Sequence, residues 1–246
     1  MYKGVSAHRG NMSVFPENTM LAFESAVALQ CDFIELDVQF TADKKIVVTH
    51  DASAKRVTGM NVQIAGTNYS LLSELDFGEE FRKATNKTIS QIPFQKLPLL
   101  SEVLELTRNT NTRISVQPKC NGIVKSVFEL AAGMNMLNNI GFNDTNCEYL
   151  VEARNISKSI PLFWDRPPHT DFSTDIFLAT HFNFQTLMYE WQGLNEEKIA
   201  TLKQNGITVG ASVINDEASM RAHLAMGVER FYTDYPELLI SILKQQ

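Results

Sequence analysis

Two carboxylates one residue apart, Glu35 and Asp37, lie inside the apolar run Phe33-Ile34-Glu35-Leu36-Asp37-Val38. The run has the composition of a buried β-strand, and in an extended chain residues two apart project from the same face. Two unpaired carboxylates side by side in a core are costly, because each charge disfavours the other. A divalent cation removes that cost, and hard cations such as Mg²⁺ or Ca²⁺ favour oxygen ligands. A turn at Thr41-Ala42-Asp43 and a second apolar segment, residues 45–49, then deliver His50-Asp51. A carboxylate pair followed by a histidine at a strand end has the makings of a metal site beside a proton-transfer group. Taken alone, an E-x-D pair more often marks a solvated face or half of a salt bridge. The elements that would position these groups decide between the readings.

Residues 3–7 read as a first strand ending at His8-Arg9-Gly10, and Pro16-Glu17-Asn18-Thr19 opens a helix. Asn18 or Thr19 suits its N-cap, with Leu21, Ala22, Ala26 and Leu29 at helical spacing below. Arg9 offers a planar, permanently charged fork that matches phosphate. After the carboxylate strand and the His50 strand, residues 51–96 lose periodicity and are punctuated by Gly59, Asn61, Gly66 and Asn68. A loop of that length in a compact domain is expected to form a lid or a binding wall. Ser101 is the expected cap of a helix running to Thr107. Residues 112–119 form the third barrel strand, and Gln117 and Lys119 share a face near its end.

Strands are then expected at 139–142, 160–165, 185–191, 207–213 and 228–233. Helices fall at 122–136, 145–157, 195–204, 216–226 and 237–244, with a short helix in the poorly patterned stretch before residue 185. Eight strands, nearly all followed by a helix, predict an α/β chain folded as a (β/α)8 TIM barrel. One domain over 1–246 is expected, with an insertion at about 51–96 after the second strand. The charged and polar residues sit late in their strands: His8, Glu35, Asp37, His50, Gln117, Lys119, Asp165, Glu190 and Asp234. In a TIM barrel the C-terminal ends of the strands carry the active site, so one rim would gather them around a single mouth.

A chain of 246 residues with 44% hydrophobic content is long enough for one such core. A net charge of −6 without long runs of one sign argues against a nucleic-acid surface, though not against a local phosphate pocket. No apolar run has transmembrane length, and the N-terminus lacks the basic and apolar regions of a signal peptide. Cys31, Cys120 and Cys147, odd in number and without a C-x-x-C, suggest reduced thiols and a cytoplasmic setting. The Asn-x-Ser/Thr triplets at Asn11, Asn68, Asn86, Asn143 and Asn155 are read as chance.

Five blocks in order resemble the glycerophosphodiester phosphodiesterases: His8-Arg9-Gly10, Pro16-Glu17-Asn18-Thr19, Glu35-Leu36-Asp37, His50-Asp51 and Thr233-Asp234-Tyr235-Pro236. Arg56 and Thr58 fit the stretch that follows the second histidine, and the likeness spans nearly the whole chain. The resemblance implies a metal-dependent barrel enzyme that cleaves glycerophosphodiesters to glycerol 3-phosphate and an alcohol. By that likeness Glu35 and Asp37 bind Mg²⁺ or Ca²⁺, His8 and His50 are the acid–base pair, and Arg9 and Lys119 hold the phosphate. A small-molecule diester is the expected partner. The first step implied is attack by the substrate's own glycerol hydroxyl, giving a cyclic phosphate that water opens.

Two positions depart from the family pattern. Its third strand usually carries Glu-x-Lys, the glutamate being a third metal ligand, whereas this chain has Gln117-Pro118-Lys119. The amide of Gln117 keeps a ligating oxygen but lacks the charge, so a weaker site or help from Asp165 or Glu190 is expected. Ala211-Ser212 stands where Trp-Thr is usual, which removes an aromatic wall and implies a roomier or altered substrate pocket, partly refilled by Trp164 or Trp191. The intact histidines and carboxylates favour an active diesterase. A lyase-type barrel releasing the cyclic phosphate, and a degenerate member that binds without turnover, are the competing readings.

Overall fold

The computed structural model describes residues 4–245, so Lys3 of the expected first strand lies outside the described residues. The strands are β1 (Gly4–His8), β2 (Phe33–Phe40), β3 (Ile46–Val48), β4 (Arg113–Pro118), β5 (Ile140–Asp144), β6 (Leu162–Arg166), β7 (Thr186–Glu190), β8 (Thr208–Ser212) and β9 (Arg230–Thr233). All but β3 run parallel, and β1 closes the ring by pairing with both β9 and β2. The short β3 is antiparallel to β2 and carries the chain back along it towards His50. The result is an eight-stranded parallel barrel ringed by helices, the expected TIM-barrel class.

Helices fill the connections: α1 (Met20–Ala28), α2 (Lys55–Thr58), α3 (Tyr69–Leu72), α4 (Glu79–Thr85), α5 (Leu100–Thr107) and α6 (Ile123–Gly133) in the first half. In the second half come α7 (Cys147–Ile156), α8 (Phe172–His181), α9 (Glu196–Gln204), α10 (Glu217–Met226) and α11 (Pro236–Leu243). Side-chain caps mark several starts: Thr19 for α1, Asn146 for α7, Asp171 for α8, Asn195 for α9 and Asp216 for α10. At α5 the expected cap is misplaced by two residues. Leu99 is the N-cap, and the Glu102 carboxylate accepts its N–H at 2.7 Å while Ser101 lies inside the first turn. The stretch before β7, poorly patterned in sequence, holds the ten-residue α8.

Parallel barrel strands are buried on both faces, so their polar residues mark the interior rather than solvent. In β2 the outward Ile34, Leu36 and Val38 join the apolar layer beneath the helices. The alternate residues Phe33, Glu35 and Asp37 face the barrel interior. Phe33, Phe163, Met188 and Tyr232 form the interior floor. The guanidinium of the fully buried Arg230 lies there 3.7 Å from the centroids of both Phe33 and Phe163, and among the described residues its nitrogens find no hydrogen-bond acceptor of good geometry. Aromatic faces surround this cation, and burial lowers its pKa.

Residues 51–96 are better organised than their periodicity implies. They hold α2, α3 and α4, and Ala54, Ile64, Leu72 and Phe77 form a small separate core with Val47 of β3 and Leu97. Elements of four to seven residues are too short to show a helical repeat, which is why the sequence reads there as loop. Among the described residues no helix is long and apolar enough to cross a membrane, and the three cysteines are unpaired.

Candidate active site

Strand register sets the first geometry. His8 lies beside Glu35 in the β1–β2 pairing, and Asp37 beside Gln117 in the β2–β4 pairing. The interior faces of three adjacent strands therefore bring His8, Glu35, Asp37 and Gln117 together at the C-terminal rim. His8, Glu35 and Gln117 border a cavity of about 520 Å³ whose lining also includes Arg9, His50, Lys119, Asn143, Asp165 and Tyr232. Asp37 packs just behind this lining, with Arg9 Nε 3.4 Å and Lys119 Nζ 3.1 Å from its oxygens. All the sequence-predicted site residues thus converge at one mouth.

Both histidines are held the same way. His8 Nδ1 lies 2.7 Å from Asp234 Oδ1, and His50 Nδ1 lies 2.7 Å from Asp51 Oδ1. A carboxylate on Nδ1 keeps the proton there and leaves Nε2 to exchange protons. His8 Nε2 is 4.0 Å from Glu35 Oε2. Burial disfavours the charged form of His8, but the Asp234 hydrogen bond and the Glu35 charge outweigh it and raise the pKa. His50 sits after β3 on a loop clamped by Gln39, whose Nε2 donates to the carbonyls of Thr49, His50 and Asp51 at 3.0, 3.0 and 2.8 Å.

The Pro16–Thr19 block has a distinct structural part for each member. Thr19 caps α1, and its hydroxyl donates to the Pro16 carbonyl at 2.6 Å. Asn18 donates through Nδ2 to Asp37 Oδ2 at 2.8 Å. Glu17 accepts from Arg9 Nη1 at 2.8 Å and from Arg56 Nη1 and Nη2 at 2.6 and 2.8 Å. Arg56 Nε reaches Asp51 Oδ2 at 2.6 Å. A continuous chain of charges therefore runs from Asp51, which holds His50, through Arg56, Glu17 and Arg9 to Asp37. Arg9 itself adopts φ 54°, an uncommon region for a side-chain-bearing residue, and its N–H donates to Glu35 Oε2 at 3.2 Å. Gly10 follows at φ 85°, where a Cβ would lie 2.8 Å from the Ala22 backbone. Strain of this kind is kept where the surroundings fix it for a purpose.

The fit of a cation can be judged on the donors. The carboxylates of Glu35 and Asp37 and the amide carbonyl of Gln117 offer oxygen, the ligand type of hard ions. Burial and the neighbouring Asp37 charge raise the Glu35 pKa, as befits a negative charge short of a counterion. Among the described residues, Asp37 Oδ1 is buried without a hydrogen bond, with the Lys119 ammonium 3.1 Å away. These features suit a divalent cation. Among the described residues no group of three or more His, Cys, Asp and Glu is gathered as a metal site. The third position is the amide of Gln117, whose Oε1 accepts from Lys119 and whose Nε2 donates to Asp165 Oδ2 at 3.3 Å. Lys119 therefore stands between Asp37 and Gln117, the space an ion would share.

Sequence reasoning missed several members of this site. Asn143 bridges Asp165 Oδ2 at 3.1 Å and Glu35 Oε1 at 3.5 Å, and is itself met by Ser115, whose hydroxyl donates to Asn143 Oδ1 at 2.8 Å. Its only sequence signal is a polar residue inside an apolar strand, the same signal that marks Glu35 and Asp37. Asp165 Oδ1 is buried and, among the described residues, lacks a hydrogen-bond partner. Burial pushes the Asp165 carboxyl up to about 7 from an ordinary value of 3.8. The native state then holds a proton that the unfolded chain has released between these values. Stability accordingly falls as pH rises from about 4 to about 7 and levels off above. Asp165→Asn is expected to raise the melting temperature in EDTA by several degrees at pH 8 and by little at pH 5. Equal shifts at both pH values in thermal melts would contradict it.

Of the two tryptophans expected to refill the missing aromatic wall, only Trp191 lines the cavity. Trp164 points outward from β6, as alternation along the strand requires, and its Nε1 donates to the Thr145 carbonyl at 3.0 Å.

The model of the glycerophosphoryl diester phosphodiesterase family matches residues 8–238. A glycerophosphodiester phosphodiesterase of Bacillus altitudinis is 28% identical over 262 residues, covering 98% of this chain and 98% of its own length. Among solved structures, a phosphodiesterase of Oleispira antarctica in complex with the product sn-glycerol-3-phosphate superposes with a TM-score of 0.82 at 22% identity, over 98% of this chain and 96% of that one. A glycerophosphodiester phosphodiesterase of Agrobacterium tumefaciens gives a TM-score of 0.80 at 22% identity, over 98% and 100%. At those identities the structural likeness concerns the fold.

Proposed function

The chain belongs to the glycerophosphoryl diester phosphodiesterase family, and we propose that it hydrolyses glycerophosphodiesters by histidine acid–base catalysis with a divalent cation, Mg²⁺ or Ca²⁺. The observation that carries this reading is the pair of carboxylate-backed histidines, His8 on Asp234 and His50 on Asp51, facing one cavity beside Glu35 and Asp37. Bound by Glu35 and Asp37, with the Gln117 carbonyl beside them, the cation would neutralise charge on the non-bridging phosphate oxygens and polarise phosphorus.

The chain's own groups supply the rest. Arg9 and Lys119 hold the phosphate, their charges already arranged around Asp37. One histidine, through Nε2, takes the proton of the substrate's glycerol 2-hydroxyl as that oxygen attacks phosphorus. The other gives a proton to the leaving alkoxide, so the phosphorus–alcohol bond breaks as the ring bond forms. The tethered nucleophile has a large effective concentration. Water then opens the cyclic phosphate with the histidine roles reversed, giving glycerol 3-phosphate.

Product analysis on glycerophosphocholine tests the reading. Glycerol 3-phosphate and choline are expected with Mg²⁺ or Ca²⁺, and neither with EDTA. A cyclic phosphate as the final product would make the protein a lyase, and the absence of turnover with any ion would make it a binder.

Gln117 gives a further expectation. With Glu35 and Asp37 alone, two formal negative charges face a 2+ ion, and hard-ion affinity follows ligand charge. Gln117→Glu should therefore tighten Mg²⁺ and Ca²⁺ binding in calorimetric titration. It also replaces the amide that donates to Asp165 with a like charge, so the metal-free variant should melt below wild type and recover on adding the ion. Unchanged affinity would place Gln117 outside the coordination shell.

A further inference from the structure

The two histidine–carboxylate pairs share a geometry but are secured by different means. Asp234 meets the His8 ring through Oδ1 and accepts from the Asn215 amide through Oδ2, each at 2.7 Å. Asn215 is fixed in turn, because its Oδ1 accepts from the Asp234 N–H at 2.9 Å and from the Thr233 hydroxyl at 3.2 Å. The barrel itself, through the loop after β8, therefore holds that pair. Asp51 has no such neighbour. Among the described residues its carboxylate meets only the His50 ring on Oδ1 and Arg56 Nε on Oδ2. Arg56 belongs to α2 of the 51–96 insertion. Resting on the diesterase reading above, we infer that Arg56 is a positioning residue for His50, by which the insertion fixes the Asp51 carboxylate and so aims the catalytic ring.

Exposure makes a clamp necessary. The side chains of His50 and Asp51 are 35% and 32% exposed, against 18% and 22% for His8 and Asp234. A carboxylate this open to solvent can turn about its side-chain bonds and trade the imidazole for water. Gln39 holds the carbonyls of Thr49, His50 and Asp51, which fixes the backbone and leaves the Asp51 side chain free. Arg56 removes that freedom.

The clamp is itself rigid. The Arg56 fork closes on Glu17, with Nη1 and Nη2 donating to the two carboxylate oxygens at 2.6 and 2.8 Å, which leaves Nε for Asp51 at 2.6 Å. A planar guanidinium held on two edges cannot turn without breaking both contacts. Glu17 is anchored by Arg9 on its other side. Burial works against the charges of Glu17 and Asp51, but the hydrogen bonds outweigh it and hold both carboxyls below their usual range. Beneath Arg56, Ala54 and Val57 pack into the separate core of the insertion. The Ala54 N–H donates to the Val62 carbonyl and the Ile64 N–H to the Ala52 carbonyl, both at 2.9 Å. Lys87 Nζ ties the insertion to the barrel at the Val14 carbonyl, also at 2.9 Å.

Two simpler roles explain less. As a phosphate ligand Arg56 is badly placed, since each of its three nitrogens faces a carboxylate and it does not line the cavity. As a stabilising ion pair it is 47% exposed, and exposed pairs as a rule contribute little.

The test uses the full chain with glycerophosphocholine at saturating Mg²⁺. Arg56→Ala is expected to lower kcat by about ten- to a hundredfold, the scale of a catalytic group misplaced by about 1 Å. KM, Mg²⁺ affinity and circular dichroism should stay close to wild type, because the aim of His50 matters in the transition state rather than in binding. Guanidinium ion should restore part of the loss, and potassium chloride at the same concentration none of it. Asp51→Asn then measures the coupling. If Arg56 acts through Asp51, the double variant is no slower than Asp51→Asn alone, and guanidinium leaves it unchanged. Wild-type kcat in Arg56→Ala, or losses that add in the double variant, overturn the inference and leave the diesterase reading standing. Guanidinium that rescues the double variant as well as the single one also overturns it. No turnover of any glycerophosphodiester by folded, metal-loaded wild type overturns the diesterase reading and the inference with it.

Discussion

Alanine at His8, and separately at His50, is expected to lower turnover by at least about two orders of magnitude, the scale of a positioned acid–base group. Each imidazole has its Nδ1 committed to a carboxylate at 2.7 Å, which leaves one nitrogen to handle the transferred proton. The measurement is kcat on a diester with a poor leaving group, where protonation of the departing oxygen cannot be bypassed. Near wild-type turnover in either variant would make that histidine structural. Asp234→Asn supplies a second readout. The Asp234 hydrogen bond raises the His8 pKa, so its loss should move one limb of the pH–rate profile to lower pH. The direction is the same whether His8 acts as acid or as base; the limb that moves tells which. A profile unchanged in both limbs would separate His8 from the proton transfers.

Much of this arrangement is legible in the sequence because barrel strands leave little choice. A buried strand with polar residues two apart must turn them inward, so Glu35 and Asp37, and then Gln117 and Lys119, announce one interior rim. Strand count and order followed from the same alternation, and the ring closes as expected. Element ends were less certain. Ser101 has a capping side chain, yet the helix begins earlier because Glu102 reaches back to the Leu99 N–H.

What the sequence did not show are contacts between residues far apart in the chain. Asp234 stands 226 positions from the His8 ring it orients, and no local pattern links the two. Gln39 looks like an ordinary strand residue until its side chain is seen holding three successive carbonyls of the His50 loop. Glu17 belongs to a recognisable block, but its task of joining Arg9 to Arg56 depends on α2 folding back over the mouth. Trp164 shows the reverse error. Its ring is large enough to refill a cavity wall, but the period of two along β6 turns it to the outer layer and puts Asp165 inside.

Removing Asp37 is expected to abolish turnover while leaving the barrel folded. Asp37 is buried at the register position beside Gln117, and it concentrates the charges of the site: Asn18 Nδ2 at 2.8 Å, Lys119 Nζ at 3.1 Å and Arg9 Nε at 3.4 Å. Asp37→Ala leaves Glu35 as the sole carboxylate of the proposed ion site, opposed by a Lys119 ammonium that has lost its carboxylate partner, so a divalent ion should lose nearly all its affinity. The fold should survive, because the apolar layer on the other face of β2, with Ile34, Leu36 and Val38 at its centre, does not involve Asp37. Circular dichroism should therefore match wild type, calorimetry should detect no Mg²⁺ or Ca²⁺ binding, and glycerophosphodiester turnover should fall to background. Asp37→Asn keeps the Asn18 contact but not the charge, and so separates shape from electrostatics: weak binding at high ion concentration with a trace of activity is expected. Wild-type turnover undiminished in excess EDTA would remove the cation from the reaction. Asp37 would then serve to position Arg9 and Lys119 for the phosphate, and the alanine variant would lose substrate affinity rather than the chemical step.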